Sequence, residues 1–173
     1  MKRNLPFIAA FAIAALVALA MSMFTVDQRR FAIVFQLGEI KDVISEPGLN
    51  FKWPLIQNVR TFDKRILTYD SPEPERFITA EKKPVLVDAF VKWRIIDVRQ
   101  YYISVQGDEA RAHVRLSQTV NAGLREEFGR RSVHDVVSGA RDKIMDDVRT
   151  KADADARAIG VQIVDVRLKR VDL

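Results

Sequence analysis

The sequence has no cysteine, which excludes a disulfide framework, a thiolate metal site and a cysteine nucleophile. Histidine is scarce too. His113 and His134 are the only two, 21 positions apart, and neither stands in an HExxH or other metal-ligand spacing. Both read as surface or helix-face residues. The seven glycines never fall into GxGxxG, a P-loop or GxSxG, so the chain offers no phosphate cradle and no nucleophile elbow. Ser117, Ser132 and Ser138 lack a partnered base in any recognisable context. The acidic pairs Glu126-Glu127 and Asp146-Asp147 stand beside Arg125 and Arg149, which points to solvated salt-bridge faces on helices rather than acid–base chemistry. No catalytic residue, metal ligand or cofactor is assigned.

A surplus of one charge is also lacking. Residues 27–173 carry 26 basic and 23 acidic side chains, a net charge near +3, too balanced to imply nucleic acid as a partner. The 48% hydrophobic and 29% charged composition is that of a folded protein of one domain or two small ones.

What is present is an uncharged run of 22 positions from Leu5 to Val26. As a helix it would measure roughly 33 Å, enough for the hydrocarbon layer of a bilayer. Pro6 falls in the first turn, where its missing N–H costs nothing. Lys2 and Arg3 precede the run, and Asp27, Arg29 and Arg30 follow it. The flanks weakly favour a cytoplasmic N-terminus (1–4), a signal-anchor helix (5–26) and export of the remainder. A cleaved secretory signal is the alternative, because Ala18-Leu19-Ala20 is an acceptable small-x-small site; it exports the same residues. Ala10, Ala14, Ala18 and Ser22 recur every four positions, forming a small-residue strip suited to close helix packing. Plain alanine richness explains the strip equally well.

From Arg30 to Ile95 the pattern is strand-like. Phe31, Ile33 and Phe35 alternate, Gly38 offers a turn, and Glu46-Pro47-Gly48-Leu49 is a turn signal. The loop that follows carries Phe51, Trp53, Leu55 and Ile56. These side chains either fill the edge of a β core or dip into the outer face of a membrane, where tryptophan is favoured. The clearest strand is Val85–Ile95, with Val85, Val87, Ala89, Val91, Trp93 and Ile95 on one face. Pro84 stands at its start, where a missing donor is tolerated.

Beyond Asp97 the period becomes helical. Asp97 caps a short helix through Ser104. Gly107-Asp108 opens a second carrying Val114, Leu116, Val120, Leu124 and Phe128, which Gly129 stops. A third spans roughly 138–159 with Gly160 at C′. A final strand, 161–171, places Val164, Val166 and Leu168 on one face. The exported part is therefore α+β, strands first and helices later.

Several segments resemble the SPFH (Band 7, prohibitin) superfamily in order and spacing. They are Val26-Asp27-Gln28 with Phe31 to Glu39, Glu46 to Pro54, Val59 to Arg65, Thr79 to Lys83, Val87-Asp88 and Trp93 to Asp97. Leu124 to Arg130 and Gly160 to Arg170 match one bacterial branch more closely than stomatin or prohibitin. The resemblance implies a signal-anchor helix, a β-rich SPFH1 part (27–97) and an α/β SPFH2 part (98–173), placed in the periplasm at the inner membrane. It implies a non-enzymatic scaffold that alternates with a paralogue, HflK, in a large ring around the membrane-bound AAA+ protease FtsH. The family continues past the last strand into a long helix, so a longer parent chain is expected. The rival functions are a lipid- or partner-binding module that builds no ring, and an unrecognised hydrolase in which a residue such as Ser132 would be essential.

Overall fold

The computed structural model describes residues 12–13, 16–17, 19–71, 73–134, 136 and 141–172. They fall into two compact units, Met1–Asp63 and Lys64–Leu173.

In the first unit, Met23–Val26 (β1) pairs antiparallel with Gly48–Phe51 (β4), aligning Met23 with Phe51 and Val26 with Gly48. A second sheet has Arg30–Gln36 (β2) at its centre, between Glu39–Ile44 (β3) and Gln57–Asp63 (β5), all antiparallel. Phe31 to Phe35 are all buried, so the central strand loses both faces to the interior. This is why Ala32 and Val34, between the alternating Phe31, Ile33 and Phe35, are apolar as well.

Part of the helix expected over 5–26 lies outside the described residues. Those at 12–13, 16–17 and 19–22 are helical, but the expected last turn is instead strand β1. Phe24, Thr25 and Val26 are aromatic or β-branched and find a ladder partner in β4, which favours the extended chain. Among the described residues no helix is long and apolar enough to cross a membrane.

The second unit is a sheet covered by helices. Pro84–Ile95 (β8) is its centre, with Leu67–Asp70 (β6) and Glu75–Ile78 (β7) end to end along one edge. Val161–Asp172 (β9) lies along the other edge. The expected face of β8 is buried from Val85 to Ile95, every second residue. In β9 the expected face is corrected. Val161, Ile163, Val166 and Leu168 are buried, and Val164 drops out of register where Lys92 pairs with Asp165 but Trp93 with Ile163. That bulge switches the parity of the strand.

Among the described residues, three helices with stated bounds follow β8: Val98–Val105 (α1), Glu109–Gly129 (α2) and Arg141–Arg157 (α3). Asp97 accepts a hydrogen bond from the Gln100 N–H (3.0 Å) and Asp108 one from Ala110 (2.9 Å), so both expected caps form. Helix α2 buries Ala112, Leu116, Val120, Leu124 and Phe128, but Val114 is solvent-facing. Two positions from Leu116 is about 200° around a helix, so the two cannot share a face. Helix α3 buries Ile144, Met145, Val148, Ala152 and Ala156.

The two compact units divide at 63/64. Strands 67–95 belong with the helices because β8 pairs with β9 along ten positions. A partner 66 to 86 residues away is invisible to local pattern reading.

Candidate functional site

One end of the first unit collects apolar residues that have no interior to enter. Gln36 pairs with Gln57 at the end of the β2–β5 ladder, so Leu37 and Ile56 leave the sheet side by side. The Gln57 side chain ties the turn together. Its Nε2 donates to Gln36 Oε1 (3.3 Å), and its Oε1 accepts from the Trp53 N–H (2.9 Å). The Gln57 N–H donates to the Trp53 carbonyl (3.0 Å). The loop thus closed projects its apolar side chains outward: Phe51 is 67% exposed, Trp53 71% and Leu55 97%. They do not fill the edge of the β core, so that expectation is set aside. Ile56 is also half in solvent.

Of the small-residue strip, Ala10, Ala14 and Ala18 lie outside the described residues. Ser22 has a role the strip did not anticipate. Its Oγ donates to the Lys52 carbonyl (2.6 Å), and its own carbonyl accepts from the Lys52 N–H (2.7 Å). These bonds extend the β1–β4 ladder and bring the end of the uncharged N-terminal run to the exposed loop. Sequence reading missed Leu37, at the tip of the β2–β3 hairpin and 86% exposed. An apolar residue just before Gly38, where a turn favours polar residues, was the available signal.

In the second unit the acidic pairs are structural. Glu126 meets Arg130 (2.7 Å) and Asp146 meets Arg149 (2.7 Å) on exposed faces, as expected. Glu127 is buried, in contrast to the solvated face expected for it. It accepts from Lys151 Nζ (2.7 Å) and Arg131 Nη2 (3.2 Å), and Arg131 also meets Asp147 (3.1 Å). The hydrogen bond from Lys151, with Arg131 adding to it, holds the Glu127 carboxyl below its usual range despite burial. The group stays ionised and clasps α2 to α3. Arg125, the partner the sequence suggested, lies instead over the Phe77 ring at 5.9 Å.

His113 is not a plain surface residue. It is half-buried, 5.0 Å from the Tyr69 ring and 5.8 Å from that of Trp93. His134 is exposed. Among the described residues no group of three or more histidine or acidic side chains is placed to hold a metal ion.

The family model described as SPFH domain / Band 7 matches residues 24–173, from β1 through β9 and across both units. The chain belongs to the SPFH/Band 7 family. It is similar to protein HflC of Haemophilus influenzae, 41% identical over 171 residues that cover 94% of this chain and 58% of that protein. HflC of Vibrio cholerae is 36% identical, with 90% and 59% covered. A protein named modulator of FtsH protease HflC, from Escherichia coli strain K12, is 32% identical, with 95% and 63% covered. The chain spans about three fifths of the length of these relatives.

The SPFH segments quoted from the sequence are junctions of the fold. Phe31 to Glu39 is β2 with its hairpin tip, and Glu46 to Pro54 holds β4 and the exposed loop. Thr79 to Lys83 is the β7–β8 turn, where the Thr79 N–H donates to the Lys83 carbonyl (3.0 Å) and its hydroxyl to the same oxygen (3.1 Å). Gly160 to Arg170 is most of β9.

Proposed function

We propose that the chain is the membrane-proximal part of a non-enzymatic scaffold, an HflC-like subunit that assembles with an HflK-like paralogue and modulates the membrane AAA+ protease FtsH. The observation that carries this is the match across nearly the whole chain to relatives named HflC, one of them named as a modulator of that protease. The action is steric: a wall of such subunits governs which substrates reach the protease, and the subunit itself performs no chemistry. The ion pairs of the second unit support this, since each carboxylate discussed above is paired with a cation, and those of Glu127 and Asp147 join α3 to the end of α2.

The uncharged run supplies the anchor, shortened to residues 5–22 because the ladder begins at Ser22 and Met23. A helix of that length is about 27 Å, adequate for a bacterial inner membrane. Lys2 and Arg3 keep the N-terminus cytoplasmic, and the two units stand in the periplasm. The Phe51–Ile56 loop, emerging where the anchor ends, touches the outer leaflet.

The test is the native mass and composition of the particle extracted in mild detergent from membranes carrying the full-length, tagged protein. A very large assembly containing a paralogue and an AAA+ protease is expected. A small, lipid-dependent particle without either would favour the second reading, a lipid-binding module, which the exposed Phe51–Ile56 loop independently supports.

A further inference from the structure

The chain passes from helix to sheet without a linker. Every described residue from 12 to 22 is helical, and Met23 already opens β1. No glycine or proline occurs from Phe7 to Leu37, so the stretch has neither the residue that lets a backbone swivel nor the one that breaks its hydrogen bonding.

The joint is also bonded across. The Ser22 carbonyl accepts from the Lys52 N–H (2.7 Å), and the Ser22 hydroxyl donates to the Lys52 carbonyl (2.6 Å). Ser22 is thus at once the last helical residue and an added rung of the β1–β4 ladder, which runs on from Met23–Phe51 to Val26–Gly48. Val26 is buried. The turn into β2 is closed as well: the Arg30 N–H donates to the Asp27 carbonyl (3.1 Å) and the Arg29 N–H to the Asp27 carboxylate (2.8 Å). Helix, β1, turn and β2 therefore follow one another with hydrogen bonds at each junction.

We infer that Ser22 is a locked joint: the N-terminal helix and the first unit move as one rigid body, and the direction of the helix sets the orientation of the unit. A Gly/Ser-rich linker at this place would behave as a random coil and let the two turn independently. In the scaffold proposed above, the joint makes the anchor a lever, because a change of its tilt in the bilayer is passed to the wall. A strand of seven residues such as β2 is about 23 Å long. Tilting the helix by roughly 10° would move a point that far from the joint by about 4 Å, close to the spacing of two neighbouring strands. The lever, though not the joint, rests on the anchor reading.

Because the chain has no native cysteine, pairs of nitroxide labels can be introduced through cysteines. Leu16 on the helix and Lys41 on β3 lie on either side of the joint, and Gln28 with Lys41 is the control pair within the unit; all three side chains are exposed. The whole chain, diluted in unlabelled chain, is reconstituted in phosphatidylethanolamine/phosphatidylglycerol vesicles, and distances are read by double electron–electron resonance. The 16/41 distribution is expected to be as narrow as that of 28/41. A Gly-Ser-Gly-Ser-Gly insert between Ser22 and Met23 is expected to broaden 16/41 several-fold and leave 28/41 unchanged. A 16/41 distribution several-fold broader than 28/41 without the insert overturns the joint. An insert that broadens neither pair overturns it too, since the helix is then held by contacts elsewhere. Where the insert broadens both pairs, Ser22→Gly, which leaves β1 whole, carries the same expectation and the same refutation. Power saturation of the label at 16 decides the anchor separately. Relaxation by oxygen places it in the bilayer; relaxation by a water-soluble nickel chelate instead overturns the anchor reading and the lever, while the distance widths still decide the joint.

Discussion

Gly160 sits at φ +78°, and its carbonyl accepts hydrogen bonds from the N–H groups of Ile96 and Asp97, both at 3.0 Å. A Cβ there would lie 2.3 Å from the Asp97 carbonyl oxygen and 2.6 Å from the Tyr101 nitrogen. Both are backbone atoms of the β8–α1 junction, so neither can swing aside. Gly160→Ala is therefore expected to cost roughly 2–4 kcal/mol through overpacking and left-handed strain, read as a lower urea midpoint with an unchanged slope; a loss below 0.5 kcal/mol would refute the account. The sequence suggested a glycine stop after the third helix. It could not show that the same residue lies against the N-terminus of α1, because some sixty residues separate the two.

Among the elements, α2 and α3 are joined by a clasp that depends on one buried carboxylate. Glu127 is more acidic in the folded chain than in the unfolded one. Its contribution is thus complete above the usual carboxylate pKa and is lost as the pH falls through the lowered folded value. Glu127→Gln keeps the shape but leaves Lys151 and Arg131 without the charge they share. The expected loss is about 1–3 kcal/mol at neutral pH, with a flatter decline of the thermal midpoint on the acid side. An unchanged midpoint at neutral pH, or an acid limb identical to that of the unsubstituted chain, would refute the clasp. Periodicity revealed the helices and their caps, since Asp97 and Asp108 act within three residues of their own positions. Which face turned inward was less legible: Val114 was expected in the core and faces solvent, whereas Glu127 was expected in solvent and is buried.

For the whole molecule, the two units each have a core of their own. The second buries Trp93, Tyr101, Phe77, Phe128, Leu116 and Ile163 almost completely. Residues 64–173 expressed alone are therefore expected to unfold in one cooperative transition, coincident by far-ultraviolet circular dichroism and by fluorescence of Trp93, the one tryptophan in that segment. Separate transitions by the two probes, or none, would show that the unit depends on residues 1–63. Tyr101 adds a marker of its intactness. Burial, with Glu109 and Asp108 adding to it, raises the phenol from its usual pKa to about 12.

The sequence by itself determined the class of the chain and its local order. A long uncharged run, a strand-rich half, capped helices and a closing strand follow from hydrophobic period and turn chemistry, which act over a few residues. The ordered segments carried the resemblance to the SPFH family, which the family model over residues 24–173 shows. Only the tertiary structure decided that β8 and β9 share one sheet, that a bulge at Val164 reverses the inner face, and that Gln36 beside the Leu37 turn pairs with Gln57 beside the exposed loop. Each of these depends on hydrogen-bond register between strands distant in the chain, and one residue of slip exchanges the two faces of a strand.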